Sequence, residues 1–184
     1  MTDNTDSLLG SWEEEEIEYP IGRTQWVLNP ITSELTVLCS IKSADGDNAP
    51  WYCLRDDFKL AVLADGVKSV CNHAFSSCLN LTSAQLPNSV KVIGKEAFAE
   101  CKFSSIKIPK SVISFDGNPF AGCKNLEVVD LTENQNFVFV DGALMNKEKT
   151  QIICCAPSNS GDYSIPDTVT TICAGAFYAC RKLT

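Results

Sequence analysis

The sequence contains one histidine, His73, among 184 residues, and no Cys-x-x-Cys pair. Serine and cysteine hydrolases use a histidine as general base, so only His73 could serve such a centre. The usual Cys/His zinc sites need more than one such pair or histidine. The alternating acidic ligands of an EF-hand loop are also absent. These absences predict a protein that is not an enzyme and that holds no metal and no cofactor.

Basic charge and long apolar runs are also scarce. Lys and Arg total 15 against 23 Asp and Glu, which gives a net charge of −8. Nucleic-acid binding needs clustered Lys and Arg, so no nucleic-acid partner is expected. No apolar run approaches the roughly 20 residues that span a bilayer, so no membrane insertion is expected. The acidic N-terminus lacks the pattern of a secretory signal, which predicts a cytoplasmic protein if this chain is the full product.

The sequence is rich in repetition. One six-residue phrase occurs four times, as HAFSSC (73–78), EAFAEC (96–101), NPFAGC (118–123) and GAFYAC (175–180). The first three closing cysteines are 23 and 22 residues apart. A proline stands fourteen residues before the closing cysteine in three copies: Pro87, Pro109 and Pro166. A period of this length is typical of solenoids, whose stacked repeats build the core.

Each repeat carries apolar residues at fixed positions. Its first half has the form Leu-x-x-Ile-x-Ile, and this alternation predicts a strand with one buried face. Its second half has two further apolar positions and then the Phe of the six-residue phrase. The predicted core positions are Phe58, Leu81, Phe103, Leu126, Ala61, Ala84, Ile106, Val129, Leu63, Leu86, Ile108, Leu131, Val67, Val90, Val112, Val169, Val70, Ile93, Phe115, Ile172, Phe75, Phe98, Phe120 and Phe177.

These patterns predict a right-handed repeat solenoid with a parallel sheet on one face and an irregular or short helical outer wall. Residues 1–20 are expected to form a flexible acidic leader, 21–57 an N-terminal β cap, and 58–184 the repeats. The cap contains a hairpin built from 24–28 and 34–41, and Trp51 is expected to pack on the first repeat. Residues 137–157 read as two strands within an inserted hairpin at about 132–160. The insertion either carries function or thickens the wall.

The ten cysteines favour buried free thiols over disulfides. Four of them hold one position in successive repeats, and like side chains stacked in parallel have poor geometry for a disulfide. Buried free cysteine behaves as a small apolar residue. Cys154 and Cys155 are adjacent in a predicted strand, so one is expected to point inward and the other outward. A redox-responsive scaffold is an alternative interpretation of so many thiols.

The segment CLNLTSAQLPNSVKVIGKEAFAEC (78–101) resembles the BspA-like leucine-rich repeat, whose unit is approximately C-x-x-L-x-x-I-x-I-P-x-x-V-x-x-I-g-x-x-A-F. The insertion VDGALMNKEKTQIICCAP (140–157), followed by YSIPDTVTTI (163–172), is also similar to a recurrent variant. The resemblance covers about 24–184 and implies a leucine-rich-repeat solenoid. Members are typically modules of secreted or cell-surface proteins associated with adhesion, so it also implies that location and role. Here Cys71, Asp116 and Cys173 replace the usual Gly.

The residues between the repeated positions are the candidates for function. They predict a binding face for a protein or glycan partner, because solenoids bind macromolecules on such extended faces. Leu60 and Val62 would add apolar contacts. The candidate residues are Lys59, Thr82, Ser83, Gln85, Ser104, Ser105, Lys107, Glu127, Val128 and Asp130.

The last residues, CRKLT (180–184), reach the first position of a further repeat. An open solenoid end would expose apolar positions and unpaired strand edges. The expectation is a fragment of a longer array. The alternative is a structural module that self-associates when another copy covers the open C-terminal end.

Overall fold

The computed structural model describes residues 26–38 and 49–184, which form a β-solenoid of about six turns with almost no helix. The predicted leader (1–20) and two parts of the predicted cap (21–25 and 39–48) lie outside these residues. The elements are β1 (Trp26–Asn29), β2 (Glu34–Val37), a 3₁₀ helix (Tyr52–Leu54), β3 (Leu60–Leu63), β4 (Ser69–Val70), β5 (Ser83–Gln85), β6 (Val92–Ile93), β7 (Ser105–Lys107), β8 (Ser114–Phe115), β9 (Val128–Asp130), β10 (Phe137–Val140), β11 (Ala143–Asn146), β12 (Gln151–Cys155) and β13 (Thr171–Ile172).

Parallel strands stack in the register that the repeat alignment predicts. In β3 and β5, Ala61 lies beside Ala84. In β7 and β9, Ile106 lies beside Val129. On a second, narrower wall, β4, β6 and β8 form their own parallel ladder. The predicted solenoid with a parallel sheet on one face is therefore confirmed.

The N-terminal hairpin covers the first turn. Strands β1 and β2 are antiparallel, and β2 pairs in parallel with β3. Trp51 is buried, and its Nε1 donates a hydrogen bond of 2.8 Å to the carbonyl of Ala74. Its ring stacks on Phe75 with centroids 5.1 Å apart. The predicted contact between Trp51 and the first repeat is confirmed.

A column of aromatic rings runs through the core from Trp51 along the repeated Phe position. Phe75 and Phe98 stack at 5.3 Å, and Phe98 and Phe120 at 6.1 Å. All three phenylalanines are fully buried. Each ring therefore contributes apolar area to its own turn and to both neighbouring turns.

The outer wall is irregular, and hydrogen bonds between turns hold it. The amide of Phe75 donates to the carbonyl of Ala97 at 2.7 Å, and that of Phe98 to Pro119 at 2.9 Å. Residues between these contacts adopt left-handed backbone, such as His73 at φ 56° and Glu96 at φ 54°. This alternation explains why the six-residue phrase repeats as a unit and forms no helix.

Polar side chains that stand three residues before β6, β8, β10 and β13 join each turn to the turn before it. The hydroxyl of Ser89 donates to the carbonyl of Val67 at 2.8 Å, and that of Ser111 donates to Val90 at 2.6 Å. In the next turn Asn134 takes this position and donates to Val112 at 2.9 Å and to Pro109 at 2.8 Å. In the last turn Thr168 donates to Lys149. The repeat pattern of the sequence does not predict this ladder.

The insertion contains three strands, so the prediction of two was wrong. Strands β10, β11 and β12 form an antiparallel meander, and β12 then pairs in parallel with β13. Asp141 and Gly142 have φ of 50° and 72°, as a tight two-residue hairpin turn requires. The outer side of the meander and the last turn share a small second core: Ala143, Met145, Ile152 and Ala176, with Val138, Tyr163, Val169 and Phe177 against it.

The cysteines in the described residues are free thiols. Cys78, Cys101 and Cys123 are buried, and the thiols of Cys101 and Cys123 donate to carbonyls of the preceding turn at 3.2 and 3.0 Å. The weak S–H donor of each cysteine thus bonds a carbonyl of the neighbouring turn, which an alkyl side chain could not do.

Cys154 and Cys155 are both buried, at 1% exposure each, so the expectation that one points outward was wrong. The main core covers Cys154, and the last turn packs near Cys155, whose amide donates to Ala176.

Burial makes the core thiols unreactive. Desolvation raises the pKa of Cys78 and of Cys123 from 9.0 to about 12, and it raises the pKa of Cys101 as well. The reactive thiolate is therefore nearly absent at neutral pH. Brief iodoacetamide treatment of the native protein should modify exposed Cys53 and spare these three thiols until denaturant is added, as measured by peptide mass spectrometry. Equal labelling of Cys53 and Cys101 in the native state would contradict the packing.

Candidate binding face

Six of the ten predicted residues lie in strands β5, β7 and β9. The other four, Lys59, Thr82, Ser104 and Glu127, directly precede β3, β5, β7 and β9. We call this surface, at 59–62, 82–85, 104–107 and 127–130, the sheet face. Nine of the ten are exposed, and Asp130 is half-buried. The structure thus brings all ten onto one surface. Their role in binding stays a prediction.

The strand register arranges these side chains in rows. Leu60 lies beside Ser83, and Val62 lies beside Gln85. Farther along the solenoid, Ser105 lies beside Val128 and Lys107 beside Asp130. Because alternate residues of a strand point to one side, the first three pairs set a hydroxyl or an amide next to an apolar group, and the fourth sets opposite charges side by side.

The face is divided between β5 and β7, which belong to separate sheets. Just before these two strands, a backbone hydrogen bond still links their turns on this side, from the amide of Lys102 to the carbonyl of Leu81 at 2.8 Å. At the C-terminal end of these strands lies a cavity of about 300 Å³. It is lined by Ala84, Gln85, Leu86, Asn88, Lys107, Pro109 and Glu133.

Three of the predicted residues have side chains that are engaged within the chain, and one of them is Thr82, whose hydroxyl donates to the carbonyl of Lys59 at 3.3 Å. Lys107 Nζ lies 2.6 Å from Glu133 Oε1, and this contact raises the pKa of Lys107 and lowers that of Glu133. Asp130 accepts hydrogen bonds from the hydroxyl and the amide of Thr132, which lower the pKa of its carboxyl. Both pairs are largely exposed, so they add little to stability. Sequence reasoning missed Glu133 because it lies beyond the strand pattern.

Other polar groups of the sheet face have no partner among the residues that the structure describes. Within residues 26–38 and 49–184, the side chains of Ser83, Gln85, Ser105 and Glu127 make no hydrogen bond or ion pair. Val128 beside them is 49% exposed. A partner could therefore satisfy these groups without first breaking an internal contact.

The only histidine lies on the outer wall, away from the sheet face. His73 Nδ1 lies 3.4 Å from Glu96 Oε2, and Lys95 Nζ lies at the same distance from Glu96 Oε1. His73, Glu96, Asn118 and Gly175 open the four copies of the six-residue phrase, and a position that takes four such different residues is expected to lie in a surface turn. That is wrong for Asn118, which is 2% exposed and donates to the carbonyl of Gly175 at 2.7 Å. This bond joins the third repeat to the last across the insertion.

Within residues 26–38 and 49–184, no group of three or more His, Cys, Asp or Glu side chains is placed to hold a metal ion. Nor does any helix of that part have the length and apolar character needed to cross a membrane.

Residues 52–184 match the family model described as the BspA type leucine rich repeat region, in six copies. No curated protein matches the chain significantly.

Several solved bacterial structures are similar. A leucine-rich cell surface protein from Faecalibacterium prausnitzii is 25% identical with a TM-score of 0.64, over 74% of this chain and 37% of that one. The pneumococcal vaccine antigen PcpA is 27% identical with a TM-score of 0.58, over 65% and 31%. A leucine-rich repeat protein from Eubacterium ventriosum, at 24% identity and a TM-score of 0.50, matches over 86% and 56% and shows the fold alone. The chain thus spans between about a third and just over half of these structures.

Proposed function

Since this chain belongs to the BspA-type leucine-rich repeat family, we propose that it is a non-catalytic module that binds a protein or glycan partner through the sheet face. The observation that supports this most is a set of polar side chains that make no hydrogen bond or ion pair within the described part of the chain, Ser83, Gln85, Ser105 and Glu127, beside exposed Val128. A mixed, extended surface of this kind suits a macromolecule better than a small enclosed substrate.

We place this binding in a cell-surface or adhesion context. The support is the similarity to the Faecalibacterium cell surface protein, of which this chain covers 37%. A partner would reach the face by replacing the water on these hydroxyl and amide groups, while Val128 and Leu60 add apolar area.

The test uses the sheet-face variant Gln85→Arg/Ser105→Arg and an array of immobilised extracellular-matrix proteins and neutral and acidic glycans. Both positions are exposed, so the fold should tolerate arginine. We expect the variant to lose at least about tenfold in affinity, because the larger charged groups block close approach and leave the partner's polar groups unsatisfied. Surface plasmon resonance measures the change.

The matched control is Gln135→Arg/Ser164→Arg, which makes the same two changes at exposed positions outside the sheet face. It should bind as the unmodified chain does. If both doubly substituted proteins bind equally well, the sheet face is not the binding surface. If the unmodified chain binds no member of the array, the adhesion role is wrong.

A second candidate is self-association through the last turn. Ile165 and Ile172 are 47% and 48% exposed, although equivalent positions in earlier turns are buried or half-buried. Strand β13 pairs with β12 on one side only among the described strands. We expect sedimentation to show a concentration-dependent dimer that Ile172→Lys abolishes, because a lysine cannot be buried against a second apolar edge. A strict monomer at high concentration would rule this candidate out.

A further inference from the structure

A second, larger cavity shares no lining residue with the cavity of the sheet face. Its volume is about 660 Å³, within the range of about 300–1,000 Å³ that is usual for ligand sites. The side chains that matter for its chemistry are Lys124, Asn125, Tyr178, Arg181 and Lys182, with Glu100 at one margin.

The repeat explains why a cavity forms here. Lys124 and Asn125 directly follow Cys123, and Arg181 and Lys182 directly follow Cys180, so both pairs stand at the same corner of their turns. The inserted turn between them presents buried Pro157 at this side. Pro157 is short, whereas the flanking turns carry Lys124 on one side and Arg181 and Lys182 on the other. The space between these long side chains is the recess.

The recess concentrates positive charge on an acidic protein. Lys124, Arg181 and Lys182 are exposed, whereas the chain as a whole has a net charge of −8. Within residues 26–38 and 49–184, the ion pairs involve other cations, so these three have no carboxylate at ion-pair distance. The nearby Glu100 carboxylate accepts a hydrogen bond from Ser77 at 3.0 Å. An anion would therefore be attracted without displacing an internal partner.

The remaining lining groups indicate what kind of molecule would carry the anionic group. Tyr178 is 56% exposed, and its ring can pack on the C–H face of a sugar while its hydroxyl stays in water. The Asn125 amide offers both donors and an acceptor for sugar hydroxyls. We propose that this recess binds an acidic saccharide, whose carboxylate or sulfate group lies among Lys124, Arg181 and Lys182. The proposal is independent of the sheet face.

The test compares galacturonic acid with galactose, which differ only in the carboxylate. Backbone amide NMR spectra of the whole chain are recorded during titration with each sugar, with a sulfated heparin disaccharide and with sodium sulfate. We expect the two acidic saccharides to shift the amides around Lys124, Tyr178 and Arg181, and galactose to shift none. Weakening of the acidic-saccharide response by added salt is also expected, because the attraction is electrostatic.

The variant Lys124→Gln/Arg181→Gln should weaken binding of the acidic saccharides at least about tenfold, because two charge-assisted hydrogen bonds are lost. The control Lys91→Gln/Lys110→Gln removes the same charge from exposed positions elsewhere and should leave binding unchanged. Equal loss in both would show a general charge effect and overturn the site. Binding of sulfate as tight as that of the saccharides, or binding of an acidic peptide with no response to any acidic saccharide, would overturn the ligand class.

Discussion

Replacing Phe98 with alanine is expected to lower the free energy of unfolding by about 3–5 kcal/mol. The ring is fully buried and stacks on Phe75 on one side and on Phe120 on the other, with Phe103 at 5.5 Å edge-on. Alanine would leave a cavity across three turns. Because solenoid stability depends on contacts between neighbouring repeats, the loss should weaken the whole array. Urea denaturation followed by circular dichroism measures it.

Two further variants separate cavity formation from loss of an aromatic ring as such. Phe98→Leu keeps most of the volume and should cost under half as much as Phe98→Ala. Tyr178→Ala removes an aromatic ring that is 56% exposed, so it should change stability by less than about 0.5 kcal/mol. Equal losses for Phe98→Ala and Tyr178→Ala would contradict a continuous aromatic column.

The second large effect is expected for Asn134→Ala, at about 2–4 kcal/mol of unfolding free energy. The amide is 6% exposed, donates to Pro109 and Val112 in the preceding turn, and accepts from the amide of Asn136 at 2.8 Å. Alanine removes all three bonds and leaves buried backbone groups without partners. The midpoint of urea unfolding reports the change.

The nearly isosteric Asn134→Asp tests whether the bonds or the volume matter. It keeps the acceptor but turns the two donated bonds into repulsion between a carboxylate and carbonyls. It should therefore destabilise at neutral pH at least as much as alanine does. Asn88→Ala changes an exposed asparagine whose side chain makes no hydrogen bond within the described part of the chain, so it should have little effect. A neutral result for Asn134→Asp would show that the amide does not hold the turns together.

The repeated positions could be predicted because the period fixes their phase. Once the Phe of each six-residue phrase is aligned, Val70, Ile93 and Phe115 must fall into one column, and the structure pairs them so. The same argument predicts that residues between the core positions of each strand face outward. For this reason the sheet face could be located from the sequence, although its ligand could not.

The insertion shows where that reasoning stops. Both sides of β12 are covered, because the main core takes Ile153 and Cys154 while the second core takes Ile152. A strand that is buried on both sides loses its alternation, so neither the number of strands nor the position of Cys155 could be read from the pattern.

The polar ladder was missed for a different reason. Ser89, Ser111 and Asn134 differ in type, and their common role lies in a carbonyl of the turn before. Turn residues such as Ser and Asn also occur for purely local reasons, so sequence alone does not distinguish a local bond from one that reaches the neighbouring turn. The recess at Lys124 and Arg181 could not be predicted either, because it depends on where the inserted turn places Pro157 between these two side chains.

The central claim is that the repeated residues build the solenoid and that binding resides on the sheet face between them. The most direct test is an arginine scan, one residue at a time, of every exposed position in 59–184, with stability and binding to the best ligand of the protein and glycan array measured for each variant. Binding should fall without loss of stability at positions that cluster on the sheet face, such as Ser83, Gln85, Ser105 and Glu127. Binding-specific positions clustered on the narrow wall or on the insertion instead would contradict the account.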